Sequence, residues 1–208
     1  MGAIPVGCPN RRITLADIGD ALLTDRFDTA LAYASRIHRS QVRKGSAVPY
    51  VSHLLGVAAI ALGNGADEDQ AIAALLHDAV EDQGGAERLV DIRARFGDRV
   101  ARMVDHCTDT DQEPKPPWRE RKEVYIASLA TKPLDSLQVS LADKTHNAEA
   151  ILLDLRALGE VVWDRFTGGR DGSLWYYCAL ADAFADLVPG PAADRLNHTV
   201  AQIEQLAA

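Results

Sequence analysis

Apolar residues in this chain recur at spacings of three and four almost from end to end, and the alternation that marks a half-buried strand hardly appears. The pattern predicts an all-α protein of about eight to ten helices. Thr24 can cap a helix running to Arg39, with Phe27, Leu31, Ala34 and Ile37 along one side. Gly45 to Pro49 reads as a loop. Tyr50 to Leu62 predicts the next helix, stopped by Gly63-Asn64-Gly65, and Asp67 or Asp69 starts another that runs to Gly84-Gly85. Helices from about Glu87 to Phe96 and from Asp98 to Cys107 follow, separated by Gly97. Thr108 to Pro117 is polar and holds three prolines, which predicts a mobile loop that closes over a substrate. Further helices are expected near Trp118 to Ala130, Leu137 to Leu158, Ser173 to Leu187 and Ala192 to Leu206. We expect residues 1–208 to form a single domain with its core at about 25–187, since a carboxylate motif beyond the 108–117 loop would otherwise lack partners.

One helix in this pattern carries an unusual set of polar residues, Leu75-Leu76-His77-Asp78-Ala79-Val80-Glu81-Asp82. On a continuous helix His77 and Glu81 fall on one stripe and Asp78 and Asp82 on the next, so an imidazole and three carboxylates share a face. Ala71 to Leu76 before them is almost wholly apolar, and the nearest basic residue afterwards is Arg88. Carboxylates crowded beside a buried run repel one another unless something positive lies among them. A divalent metal is the simplest candidate.

Composition narrows the possibilities. With 47% hydrophobic and 25% charged residues the chain is ordinary globular protein. Its net charge of −8 argues against a general nucleic-acid binder, which needs a basic surface. Cys8, Cys107 and Cys178 are far apart and lack metal spacing, which fits a reducing cytoplasm. No apolar run approaches the roughly 20 residues of a membrane span, and the N-terminus has no signal-peptide pattern. Met1-Gly2 begins like a myristoylation motif, but Val6 stands where Ser or Thr is needed. The expected partner is a small molecule rather than nucleic acid or membrane, with the chain acting as a monomer or homodimer.

Four residues at three widely separated places offer metal ligands: His53, the His77-Asp78 pair, and Asp143 in Leu141-Ala142-Asp143-Lys144. Nitrogen and oxygen donors without a thiolate suit Mn²⁺, Mg²⁺ or Fe²⁺, Zn²⁺ being a further alternative, and two imidazoles favour Mn²⁺ over Mg²⁺. The order His…His-Asp…Asp resembles the HD superfamily of metal-dependent phosphohydrolases. The flanks sharpen the resemblance. Gln41-Val42-Arg43-Lys44, Pro49-Tyr50-Val51-Ser52-His53, Ala73 to Asp82, Phe96-Gly97 and Asp143-Lys144-Thr145-His146-Asn147 resemble, in order, the hydrolase domain of RelA/SpoT homologues. The agreement runs from about residue 25 to 180 and is that of a small alarmone hydrolase.

That resemblance implies an HD-domain helical bundle that removes pyrophosphate from the 3′ position of (p)ppGpp or (p)ppApp, usually with Mn²⁺. It implies His53, His77, Asp78 and Asp143 as metal ligands, with Glu81 and Asp82 positioning or deprotonating the attacking water. Arg43 and Lys44 would meet the purine and phosphate, and Asn147 the ribose or phosphate. Arg170 and Tyr177 lie where the family places further phosphate and ribose contacts. Arg43-Lys44-Gly45-Ser46-Ala47-Val48-Pro49-Tyr50 is one residue longer than the family loop and has no acid, and Leu54 replaces the usual Pro. Both changes fall near the expected base pocket, which leaves guanine and adenine open. Other open readings are a nucleotidase, a phosphatase of a phosphorylated dinucleotide such as NADPH, and a nucleotide sensor without turnover.

Each residue also has a plainer reading. His53 could be a satisfied core histidine, Asp143 a surface ion-pair partner of Lys144 or Lys122, and Arg43-Lys44 a solvated loop. Trp175-Tyr176-Tyr177 could be core. His38, His106 and His198 read as structural or surface groups, with His146 a weaker site candidate. Asp109, Asp111 and Glu113 mimic the start of a calcium loop but lack its later Gly and Glu, and read as a solvated acidic loop.

Overall fold

The computed structural model of the chain describes residues 23–109 and 114–208. Among these are ten α-helices: α1 (Asp25–Ile37), α2 (Val51–Gly63), α3 (Glu68–Leu76), α4 (Ala79–Gln83), α5 (Gly85–Phe96), α6 (Asp98–Cys107), α7 (Trp118–Leu129), α8 (Leu134–Leu158), α9 (Gly169–Leu187) and α10 (Pro191–Ala207). A 3₁₀ segment, Gly159–Arg165, joins α8 to α9. The β pairing found among the described residues is an isolated bridge between Val42 and Pro49. No helix among them is long and apolar enough to cross a membrane. Cys107 and Cys178 are unpaired, while Cys8 and the Met1-Gly2 motif lie outside the described residues.

Local rules explain most of the boundaries. Thr24 caps α1 by accepting from the Arg26 amide. Asp67 caps α3 in a reciprocal capping box with Gln70, which fixes where the helix leading into the acidic cluster begins. Pro133 stands at the N-cap of α8, so that helix starts three residues before the apolar pattern does. The 3₁₀ turn escaped the sequence reading because seven residues hold too few turns to show a period, although Val162 and Trp163 are buried. The packed structure also continues beyond residue 187, because α10 sends Ala193, Leu196, Val200 and Ile203 into the core.

The apolar interior forms two clusters. One is built on α1 to α6, with Val139 and Ala142 of α8. The other is built on α7, the 3₁₀ turn, α9 and α10, with Leu141, Ile151, Leu152 and Leu155 of α8. α8 therefore runs between the two, about 37 Å of helix at 1.5 Å per residue. Asp143 lies on its buried stretch. Where α7 meets α9 the Trp118 indole sits against two glycines; a side chain at Gly168 would come within 2.7 Å of the ring and one at Gly172 within 3.1 Å.

The expected continuous helix over residues 67–83 does not form. α3 ends at Leu76, the chain turns through His77 and Asp78, and α4 starts at Ala79. Asp78 has φ −94° and ψ 0°, off the helical minimum. Adjacent side chains on a regular helix diverge by about 100°, so two neighbours cannot aim at one point without such a turn.

Stability should follow this layout. Leu180→Ala, at a fully buried position in the second cluster, is expected to cost about 2–5 kcal/mol, against about 0.5–2 kcal/mol for loss of the α3 cap in Asp67→Ala. Urea titration followed by far-UV circular dichroism checks the order of the two midpoints.

Candidate metal centre and adjoining cavities

The turn between α3 and α4 brings both members of the His77-Asp78 pair to one point. His77 Nδ1 is 2.8 Å from the Ala74 carbonyl, to which it donates, so Nε2 is the ring nitrogen turned to the centre. That Nε2 lies 2.9 Å from Asp78 Oδ2, 3.3 Å from Asp143 Oδ1 and 3.1 Å from His53 Nε2. His53, carried on α2, completes the group at 3.4 Å from Asp78 Oδ2 and 3.3 Å from Asp143 Oδ1. The buried trio His53, His77 and Asp143 can each present one ligand atom within 4.8 Å of the others.

These spacings fit a shared divalent cation. Donors about 2.0–2.2 Å from an ion stand roughly 3 Å apart when adjacent, and here the gaps run from 2.9 to 3.4 Å. Two imidazoles and two carboxylates are an N/O donor set for such an ion. Asp143 is 4% exposed, so it is not the surface group of the plainer reading, and His53 is 1% exposed, in the core beside it. Asp143 does pair with Lys144, at 2.6 Å from Oδ2, but the carboxylate is buried and Lys122 pairs with Asp109 instead.

The electrostatics follow from burial and partners. Burial alone would raise Asp143, yet the Lys144 ammonium and His77 hold it well below the usual carboxylate range. Burial would likewise depress Lys144, and Asp143 holds it well above its ordinary value. Asp78 is also opposed by burial and kept ionised by His77 and His53. Glu81 and Asp82 go the other way. Desolvation and the nearby Asp109 raise Glu81, and desolvation and Asp78 raise Asp82. The acidic stretch therefore divides into ionised donors and more basic carboxylates.

Surrounding groups fix these side chains. Lys115 reaches Glu81 Oε1 at 3.0 Å, and Gln41 donates to Asp82 Oδ2 at 2.7 Å. His38 Nδ1 lies 2.6 Å from Gln41 Oε1, so His38 reaches the site through one intermediary. The Tyr50 hydroxyl donates to Asp78 Oδ2 at 2.5 Å. Asn147 donates to Asp143 Oδ1 at 2.6 Å and accepts from Arg43 Nη2 at 2.9 Å. Sequence reasoning assigned no role to Tyr50 or Gln41. Both sit inside segments that carry the family resemblance, which was the available signal.

Two cavities adjoin the centre and share Lys44, Asn147, Phe166 and Tyr177 in their walls. One, of about 320 Å³, also meets Glu81 and the cations Arg121, Lys122 and Lys144. The other, of about 210 Å³, is lined by Arg43, Tyr50, Ile151 and Arg165 among others. Tyr176 is 6% exposed yet reaches the first cavity, so the aromatic run is both core and wall.

Two expectations change here. Arg170 lines neither cavity: its guanidinium donates to the Ala207 carbonyl and faces Glu160 and Asp171, because its position on α9 points to the end of α10. Asp109 is no solvated loop residue, being clamped by Arg121 at 2.7 Å and Lys122 at 2.6 Å. Asp111 and Glu113 lie outside the described residues.

Comparison with known proteins agrees with this architecture. The chain is similar to the human guanosine-3′,5′-bis(diphosphate) 3′-pyrophosphohydrolase MESH1, at 36% identity over 121 residues, 57% of this chain and 65% of that protein. It is 31% identical over 150 residues to a guanosine-3′,5′-bis(diphosphate) 3′-pyrophosphohydrolase from Haemophilus influenzae, covering 69% of this chain but 20% of the relative. The chain thus spans under two thirds of the length of either. Among solved structures it resembles a metazoan orthologue of SpoT described as hydrolysing ppGpp and acting in starvation responses, with TM-score 0.72, 28% identity, and coverage of 86% of this chain and 96% of that one. The HD domain model matches residues 30–172. With that match running from α1 into the start of α9, the chain belongs to the HD domain family.

Proposed function

We propose that this protein is a Mn²⁺-dependent hydrolase that releases pyrophosphate from the 3′ position of a purine alarmone, (p)ppGpp or (p)ppApp, leaving the 5′-di- or triphosphate. The observation that carries the reading is the convergence of His53, His77, Asp78 and Asp143 beside two joined cavities, one of them rich in cations. The names of the human and bacterial relatives give the reaction class. A net charge of −8 alongside this local cationic lining favours a small anionic substrate over a nucleic acid. Since α8, which packs in both apolar clusters, meets α2 and α3 at the centre, we read the chain as one catalytic unit. We also assign it to the cytoplasm, where Cys107 and Cys178 would stay reduced.

His53, His77, Asp78 and Asp143 would hold the ion. When bound, a divalent metal acidifies water and polarises a phosphoryl oxygen. Glu81 and Asp82 would orient the attacking water and take its proton on a carboxylate oxygen, a task suited to their raised affinity for protons. Lys115 and Gln41 would keep those two carboxylates aimed. The 210 Å³ cavity would receive the purine against Tyr50, Phe166 and Tyr177, with the Arg43 guanidinium able to stack or donate. Lys44, Arg121, Lys122 and Lys144 would neutralise phosphate in the 320 Å³ cavity. Asn147, bonded to both Asp143 and Arg43, would tie the base-binding side to the metal-binding side.

Turnover of ppGpp and ppApp, measured side by side by ion-exchange chromatography after chelation and Mn²⁺ readdition, tests the reading. Pyrophosphate should appear only with metal, and the faster nucleotide gives the base preference; orthophosphate as product, or tight binding without turnover, would sink the proposal. His77→Ala and Asp78→Ala should abolish turnover while helical circular dichroism persists. Glu81→Gln is expected to lower kcat by about 10²–10⁴-fold with little change in KM. Arg43→Ala should raise KM, whereas Arg170→Ala, remote from both cavities, should leave kcat/KM near that of the parent in the same steady-state assay.

A further inference from the structure

Each donor of the centre has a group that aims it, and three of the four are of an ordinary kind. The Ala74 carbonyl accepts from His77 Nδ1, the Tyr50 hydroxyl donates to Asp78, and Lys144 with Asn147 holds Asp143. His53 is different. Its Nδ1 meets another imidazole, with His146 Nδ1 at 2.9 Å and the ring centroids 4.8 Å apart.

We propose that His146 is the positioning residue for His53, accepting the Nδ1–H of that ring so that its Nε2 lone pair faces the metal centre, and that Gly56 provides the space His146 needs. The inference rests on the metal-binding part of the reading above. Two facing Nδ1 atoms at hydrogen-bond distance hold one proton between them. With that proton on His53, Nε2 is free to ligate; with it on His146, Nε2 of a neutral His53 carries the other hydrogen and cannot. A residue that accepts at Nδ1 therefore selects the ligating tautomer.

The backbone registers support this pairing. His53 and Gly56 lie three residues apart on α2, and Asp143 and His146 three apart on α8, so each pair shares a helix face and the two faces meet. A methyl group at residue 56 would overlap the His146 ring. Glycine is among the poorest helix formers, and Gly56 sits inside α2 with an ordinary helical backbone, so its occurrence there is not a matter of φ. The room it leaves for the imidazole accounts for it.

The test is Mn²⁺ affinity of the purified full chain without nucleotide, measured by competition with a fluorescent chelator. His146→Ala is expected to weaken binding by about 10–100-fold. Gly56→Ala should do the same although alanine is the better helix former, and the double variant should be no weaker than His146→Ala, because both act through one contact. His146→Gln, whose carbonyl can accept, should bind Mn²⁺ more tightly than His146→Leu, which matches it in bulk and cannot. This last comparison stands even where the alanine variant folds poorly. Unchanged affinity in a well-folded His146→Ala, additive losses in the double variant, or equal affinity in the Gln and Leu variants would each overturn the proposal. Because no nucleotide is present, failure of alarmone turnover would leave the result intact.

Discussion

The structure turns on the burial of one carboxylate. Asp143 lies 4% exposed in the middle of α8, where an isolated charge would be severely destabilising, and it persists because Lys144, Asn147 and the two imidazoles converge on it. The compensating groups come from three directions. Lys144 and Asn147 share its helix, His53 arrives on α2, and His77 at the end of α3. Losing α2 or α3 would remove one of the imidazoles, so the covering of this charge links the packing of α8 to the assembly of the site. α8 itself packs in both apolar clusters, since its Val139 and Ala142 face one cluster while Leu141, Ile151 and Leu155 face the other.

A second constraint is the break at His77-Asp78. A continuous helix is the cheaper conformation for this apolar, alanine-rich stretch, yet adjacent side chains on it would diverge. Turning the chain through Asp78 aims both at one point and leaves Glu81 and Asp82 on a short separate helix, α4. There they meet Lys115 and Gln41 instead of His53, His77 and Lys144. The consequence is chemical: carboxylates only a few residues apart are held in opposite protonation preferences, which suits some to hold a cation and others to accept a proton.

The helical class, most helix limits and the residues that converge in the candidate centre were legible in the sequence because each rests on local signals. Period, caps and glycine stops set α1, α2, α6 and α7 to within two residues. The donors were legible because His53, His77-Asp78 and Asp143 sit among apolar neighbours, where charge needs an explanation, and because the order of motifs matched a family. Arg170 shows the limit of that approach. Its position in the chain was compatible with a phosphate contact, but the rotation of α9 sends its side chain to the end of α10, and no local signal encodes that rotation. Asp109 shows the converse, since an acid in a polar proline-rich stretch reads as solvated until Arg121 and Lys122 fold onto it.

Sequence alone therefore determined most of the helices and the inventory of chemistry, because helix periodicity, capping and residue type act over a few positions. Tertiary structure decided the rest: the turn that breaks the acidic helix, the two cavities that meet at Asn147, the Tyr50 and Gln41 contacts, and the seating of His146 on Gly56 across 90 residues of chain. Such contacts depend on how helices rotate and pack against one another. That packing is set by the fit of all their faces at once, and no window of neighbouring residues contains it.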